Sequence, residues 1–224
     1  MFFYFLYNQH VAIIGDIKGV SDKASINEAQ KKLYDILAEI NKKYRKDISS
    51  KFIITLDNEF QGLMNNGTSI MRILIDIERL MYPTKVRFGI GIGEITPDIE
   101  KKMSLGAEGP GYYRARAALE HIVSNEKRKQ TNPSDTRFEI DGDNQSSTVL
   151  INTILSLMTV IKESWTDRQR EIIWDMLIYQ DSQTDLAKRL NIKQPTVQKS
   201  LSKGNYYAYK EGLETINEAL GEIL

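Results

Sequence analysis

Cysteine is absent from the 224 residues. That excludes a disulfide scaffold, a cysteine-based zinc site and a thiol nucleophile, and it fits a reducing compartment. Neither sign of charge predominates: 30 Lys and Arg stand against 30 Asp and Glu, a formal net charge of zero. The chain as a whole is therefore no polybasic adhesive, and any nucleic-acid surface must be a local patch. A long hydrophobic run is also missing. Met1 to Tyr7 is aromatic and greasy but stops at Asn8, with no basic flank and no small-residue cleavage site. It fits neither a signal peptide nor a bilayer span of about 20 apolar residues. An edge strand or packing segment is expected there, in a cytoplasmic protein that stays off the membrane. What remains is ordinary: 41% apolar and 27% charged residues. Disorder is excluded as the main state, and the length suits one large or two small domains.

The first half alternates strand and helix signals. His10 to Ile17 is apolar and β-branched, a buried strand. Ser25 to Tyr44 carries Ile26, Ala29, Leu33, Ile36, Leu37, Ile40 and Tyr44 at helical spacing, with Ser25 and Glu28 placed as a capping box. Lys51 to Leu56 and Phe60 to Met64 read as strands around the tight turn Asp57-Asn58-Glu59. Thr68 to Met81 is a helix, ended by Tyr82-Pro83, and Val86 to Ile95 is a glycine-rich strand. The order β-α-β-β-α-β is ferredoxin-like. In that topology strand three lies antiparallel beside strand one, so Asp16 meets the turn holding Asp57, Asn58 and Glu59. Gly89, Gly91 and Gly93 fall on one strand face and invite a helix, a ligand or a second subunit to approach closely.

Residues 125–147 are polar and turn-rich, with Phe138 and Ile140 in a short strand. The expected division is an N-terminal domain at 1–140, a linker at 141–147 and a helical domain at 148–224. The fold class is α+β, a ferredoxin-like domain followed by an all-α domain. Thr148 to Lys162 is too short for the membrane and reads as a buried core or dimer helix. Thr166 and Gln169 cap the next helix. Leu186, Ala187, Leu190, Ile192, Val197 and Leu201 have the spacing of a helix-turn-helix at 182–203, with Asn191 suited to a left-handed turn. Ser182 to Lys210 carries Lys188, Arg189, Lys193, Lys199, Lys203 and Lys210 against Asp185 alone, a local net charge of +5. Double-stranded DNA is the expected partner, with Gln194, Thr196, Gln198 and Lys199 at base edges and Lys188, Arg189, Lys193 and Lys203 on phosphates. Tyr209, Leu213, Ile216, Leu220 and Ile223 follow heptad spacing, which serves either packing within the helical domain or a dimer contact.

Asp16, Asp57 and Glu59 have the chemistry to hold a hard cation such as Mg²⁺, and two such ions can clamp a nucleoside triphosphate. Resemblance points the same way. Ile14-Gly-Asp-Ile-Lys-Gly-Val-Ser21, Val86-Arg-Phe-Gly-Ile-Gly-Ile-Gly-Glu-Ile95 and the segment from Gly109 to Glu120 are similar to motifs of class III nucleotide cyclases. The turn Leu-Asp-Asn-Glu-Phe resembles the diguanylate cyclase signature. The whole chain looks most like the SatD family, a cyclase-like domain followed by a helix-turn-helix. The resemblance implies a homodimer, and a nucleotide with Mg²⁺ near Lys18, Gly19, Arg87 and Arg114. The ribose-binding Asn of the cyclases falls at Tyr113 and their transition-state Arg at Ala117. Arg114 and Arg116 are nearby but out of phase with it. The implied domain is therefore a degenerate sensor or dimerisation unit of a transcriptional regulator. Two rivals stand beside this reading: an active Mg²⁺-dependent nucleotidyl cyclase, and a protein-interaction scaffold.

Overall fold

The computed structural model describes residues 3, 9–19, 22–56, 58–93, 109–128, 134–140, 142 and 144–223. Five strands form one sheet in the order β2-β3-β1-β4-β5. They are β1 (His10–Lys18), β2 (Ile48–Leu56), β3 (Glu59–Met64), β4 (Lys85–Gly93) and β5 (Thr136–Ile140). The first four have the ferredoxin-like order: β1 runs antiparallel to both β3 and β4, and β5 joins parallel to β4. Helices α1 (Lys23–Lys43) and α2 (Ile70–Met81) cover one face, and α3 (Pro110–Glu126) covers the other. The rest is helical: α4 (Gln145–Glu163), α5 (Asp167–Tyr179), α6 (Gln183–Arg189), α7 (Gln194–Lys203) and α8 (Tyr206–Leu220).

Alternation along β1 sorts the two faces. Val11, Ile13 and Ile17 enter the large core with Leu33, Ile40, Phe60, Ile73 and Phe88, whereas Ala12 and Ile14 meet Leu63, Tyr112, Ala115 and Leu119 beneath α3. The helix α3 has no counterpart among the expected elements. Its start is marked by Pro110, and Tyr112, Ala115, Leu119 and Ile122 bury its inner face. The glycine row of β4 is what lets it approach. A methyl on Gly89 would lie 2.2 Å from the Ala115 carbonyl oxygen, and one on Gly91 2.0 Å from that of Gly111. Of the three approaches those glycines invited, the helix takes the face.

Several boundaries move. Asp22, not Ser25, caps α1: its carboxylate accepts from the Ser25 backbone N–H at 3.0 Å. The expected linker 141–147 is partly helical, since Gln145 to Ser147 form the first turn of α4. Thr166 and Gln169 do form a capping box, and Asn191 adopts the left-handed conformation at φ 52°. The heptad residues of α8 are buried inside the chain, so that seam serves packing rather than a second subunit.

Both edges of the sheet are closed by an asparagine. On β5 the Phe138 N–H donates to the Asn152 side-chain oxygen and the Asn152 amide donates to the Phe138 carbonyl, each at 2.8 Å. On β2 Asn41 does the same for Phe52, again at 2.8 Å for both bonds. An edge strand's unpaired backbone is a template for association, and a side-chain amide from a covering helix satisfies it. Asn152→Ala strands two buried backbone groups, so it should cost about 2–3 kcal/mol. Urea denaturation measures the loss, and an unchanged midpoint would refute this role.

Candidate functional site

The strand register assembles one charged cluster on the α3 face. Asp16 is the Cα partner of Glu59 across β1 and β3 and of Arg87 across β1 and β4. The expected meeting of Asp16 with the turn before strand three is thus realised for Glu59. Asn58, in that turn, accepts from the Ile17 backbone N–H through its carbonyl at 2.9 Å. Arg87 donates to Asp16 at 2.5 Å and grips Glu126, at the end of α3, through two bonds of 3.1 and 2.6 Å. Lys18 reaches the same Glu126 at 2.7 Å. One step across the sheet, Arg116 holds Glu59 through two contacts of 2.8 Å. Burial raises the Asp16 carboxyl above its usual range, against the pull of Arg87. Burial also acts on Glu126, but Arg87 and Lys18 outweigh it and hold that carboxyl below its usual range.

Of the three acids expected at a divalent cation, Asp16 and Glu59 are described. Among the described residues there is no group of three metal-ligating side chains. Asp16 and Glu59 each face a guanidinium, which supplies the positive charge a metal would bring. Asp57 lies outside the described residues. Of the residues expected at a nucleotide, Lys18 and Arg87 come together. Gly19 follows Lys18 in a left-handed turn at φ 84°. Arg114 stands apart: it lies beside Gly91 near the start of α3, twelve residues before Glu126, a rise of about 18 Å along a helix.

Lys18 and Arg87 line a cavity of about 300 Å³ whose far wall is helical, with Thr159 and Glu163 from α4 and Arg170 from α5. Glu78 and Asp135 line it as well. Lys162 is buried behind both, 2.8 Å from Glu78 and 2.5 Å from Asp135. Arg170 packs against the rings of Tyr82, Trp165 and Trp174 at 5.1 to 5.5 Å and donates to the Lys162 carbonyl at 2.8 Å. Sequence reasoning placed Arg116 only as out of phase with the cyclase arginine, and it passed over Glu126, Asp135 and Arg170. Arg116 and Glu126 belong to α3, whose helical spacing from Tyr112 to Ile122 was the available signal. Nothing in the sequence marks the other two, because their partners are remote in the chain.

In the C-terminal part, α6, a turn and α7 bury Leu186, Ala187, Val197 and Leu201. Trp165 donates its indole N–H to the Gly204 carbonyl at 2.7 Å, which fixes the end of α7 against the start of α5. Lys193, Thr196, Gln198, Lys199 and Lys203 are exposed. Gln194 is half-buried and donates to Gln183 of α6 at 2.8 Å. Lys188 is exposed, with Asp185 at 3.7 Å. Arg189 is held within the chain. It contacts Asp175 and Asp181 and stacks on Tyr179 at 4.0 Å, and hydrogen bonds to the two acids hold its guanidinium above its ordinary range.

Among the described residues no helix is long and apolar enough to cross a membrane. No curated protein matches the sequence. One similar solved structure is the catalytic core of a rhodopsin-guanylyl cyclase with converted specificity, in complex with ATPαS. It shares 13% identity over 51% of this chain and 72% of that one, with a TM-score of 0.38. The profile of the SatD family matches residues 10–217, nearly the whole of the folded chain, and the protein therefore belongs to the SatD family.

Proposed function

We propose that this SatD-family protein is a DNA-binding regulator whose helix-turn-helix is α6 and α7. The observation that carries the reading is the exposed face of α7. Its ten residues include no acid, and Lys193, Lys199 and Lys203 make no ion pair with a described residue. The other cations of the segment are each paired within the chain: Lys188 with Asp185, Arg189 with Asp175 and Asp181, and Lys210 with Glu214. A helix that, with its N-cap Lys193, leaves three lysines unpaired beside exposed Thr196 and Gln198 suits a major groove, where phosphates supply the missing charge and base edges meet the short polar side chains. In this reading Arg189 positions the helix pair through Asp175 and Tyr179, while Lys188 remains available for a phosphate. The sheet domain is the sensor. Its cavity between Lys18, Arg87 and Arg170 joins the strands to the helix that carries Asp175 and Tyr179.

Fluorescence anisotropy of a labelled duplex tests the reading. Binding should weaken steeply with salt, and Lys199→Gln should flatten the slope of log K against log salt by about one unit. Absence of affinity for any duplex at about 50 mM salt would remove the proposal.

A further inference from the structure

One helix face is left without a partner among the described residues. On α4 the residues Val149, Leu150, Leu157 and Val160 are 58%, 61%, 59% and 48% exposed. Its opposite face is fully engaged: Ile151, Leu155 and Met158 are in the core, Asn152 closes β5, and Lys162 sits between its two acids. The outward residues Leu150, Thr153, Leu157 and Val160 follow intervals of three, four and three, the seam spacing by which one helix packs into another. The helix is also free of charge from Gln145 to Ile161, in a chain of which 27% is charged.

We propose that this face is the contact between two copies of the chain, paired α4 against α4 about a two-fold axis. Charge argues for that occupant. A face with no charge gives a charged partner nothing to pair with, and burying such a partner's charges against it is costly. The matching surface must itself be uncharged and carry apolar knobs at the same spacing. A second α4 meets both conditions, and an isologous contact needs only one such patch. A lipid surface is a poorer fit, because helices that lie on membranes carry Lys and Arg along their polar face, and the reverse face of α4 is locked in the protein. Four side chains exposed to this degree make a contiguous patch of a few hundred Å². Two such patches opposed bury on the order of 800 Å², more with Ser146, Thr153 and Ser156 at the rim, which is the range of weak, reversible association. The proposal does not draw on the DNA-binding reading. It also differs from the α8 heptad, whose residues are buried.

Sedimentation velocity of the full chain between about 5 and 200 µM tests it. The wild type should shift from monomer to dimer within that range. Leu157→Glu, which puts a charge in the seam centre, should weaken the dimer at least about 50-fold while leaving the circular dichroism unchanged. Tyr34→Glu, an equally exposed aromatic on α1, should leave association intact. A wild type monomeric throughout would overturn the proposal. So would a Leu157→Glu protein that dimerises as well as the wild type, or growth past the dimer with concentration, which signals a head-to-tail contact.

Discussion

Lys162→Met should destabilise the protein by about 3–5 kcal/mol at neutral pH, because it leaves the carboxylates of Glu78 and Asp135 without the cation that lies between them. The ammonium touches both carboxylates and is itself buried. Burial already raises Glu78 above its usual range even with the lysine present. Burial works on Asp135 in the same sense, but Lys162 overrides it and holds that group below its usual range. The sign of the pH dependence follows. A carboxyl depressed in the folded state stabilises above its unfolded pKa, and that contribution is lost as pH falls through the folded value. A carboxyl raised in the folded state does the reverse: its neutral form is favoured, and stability falls as pH rises through the folded value. Removing Lys162 moves Asp135 from the first class to the second and pushes Glu78 further up. The deficit of the variant should therefore shrink as pH drops from about 7 to about 5, where both acids can take protons. Urea denaturation at the two values measures this. A deficit that stays constant or grows toward acid would show that the lysine does not compensate these carboxylates.

Gly91→Ala should cost about 3 kcal/mol or more, the upper range for overpacking. The added methyl would lie 2.0 Å from the Gly111 carbonyl oxygen and 2.4 Å from the Ala115 backbone nitrogen. Both are backbone atoms of α3, so no rotamer change relieves the clash and the helix must lift from the sheet. Lifting it also separates Arg116 from Glu59 and Glu126 from Arg87. Gly19→Ala makes an instructive contrast. Nothing lies within 4 Å of the added methyl, but φ is +84°, so its cost is backbone strain of about 1 kcal/mol. Thermal or urea unfolding of the two variants should separate them clearly. Equal losses would mean that α3 does not rest on the glycine row as described.

The sequence alone determined the strand and helix order of the first half, the ferredoxin-like pairing, the capping box at Thr166 and the left-handed Asn191. These depend on local patterns: period-two and period-3.6 burial, capping chemistry and backbone tolerance are all carried by neighbouring residues. The SatD resemblance was equally legible, because its motifs are contiguous. Local patterns misled where two residues able to cap a helix competed for a single role, as when Asp22 rather than Ser25 became the cap of α1. Only the tertiary structure decided what the glycine row receives, that both sheet edges are closed by Asn41 and Asn152, and that α8 spends its heptad inside the chain while α4 leaves one exposed. Only it decided, too, that Asp16 and Glu59 face arginines and that Arg189 is tied to acids while Lys193, Lys199 and Lys203 are not. Each of these is a question of which remote group fills the space beside a side chain. Charge and apolarity state what a residue needs, and the packed fold alone assigns the partner that meets it.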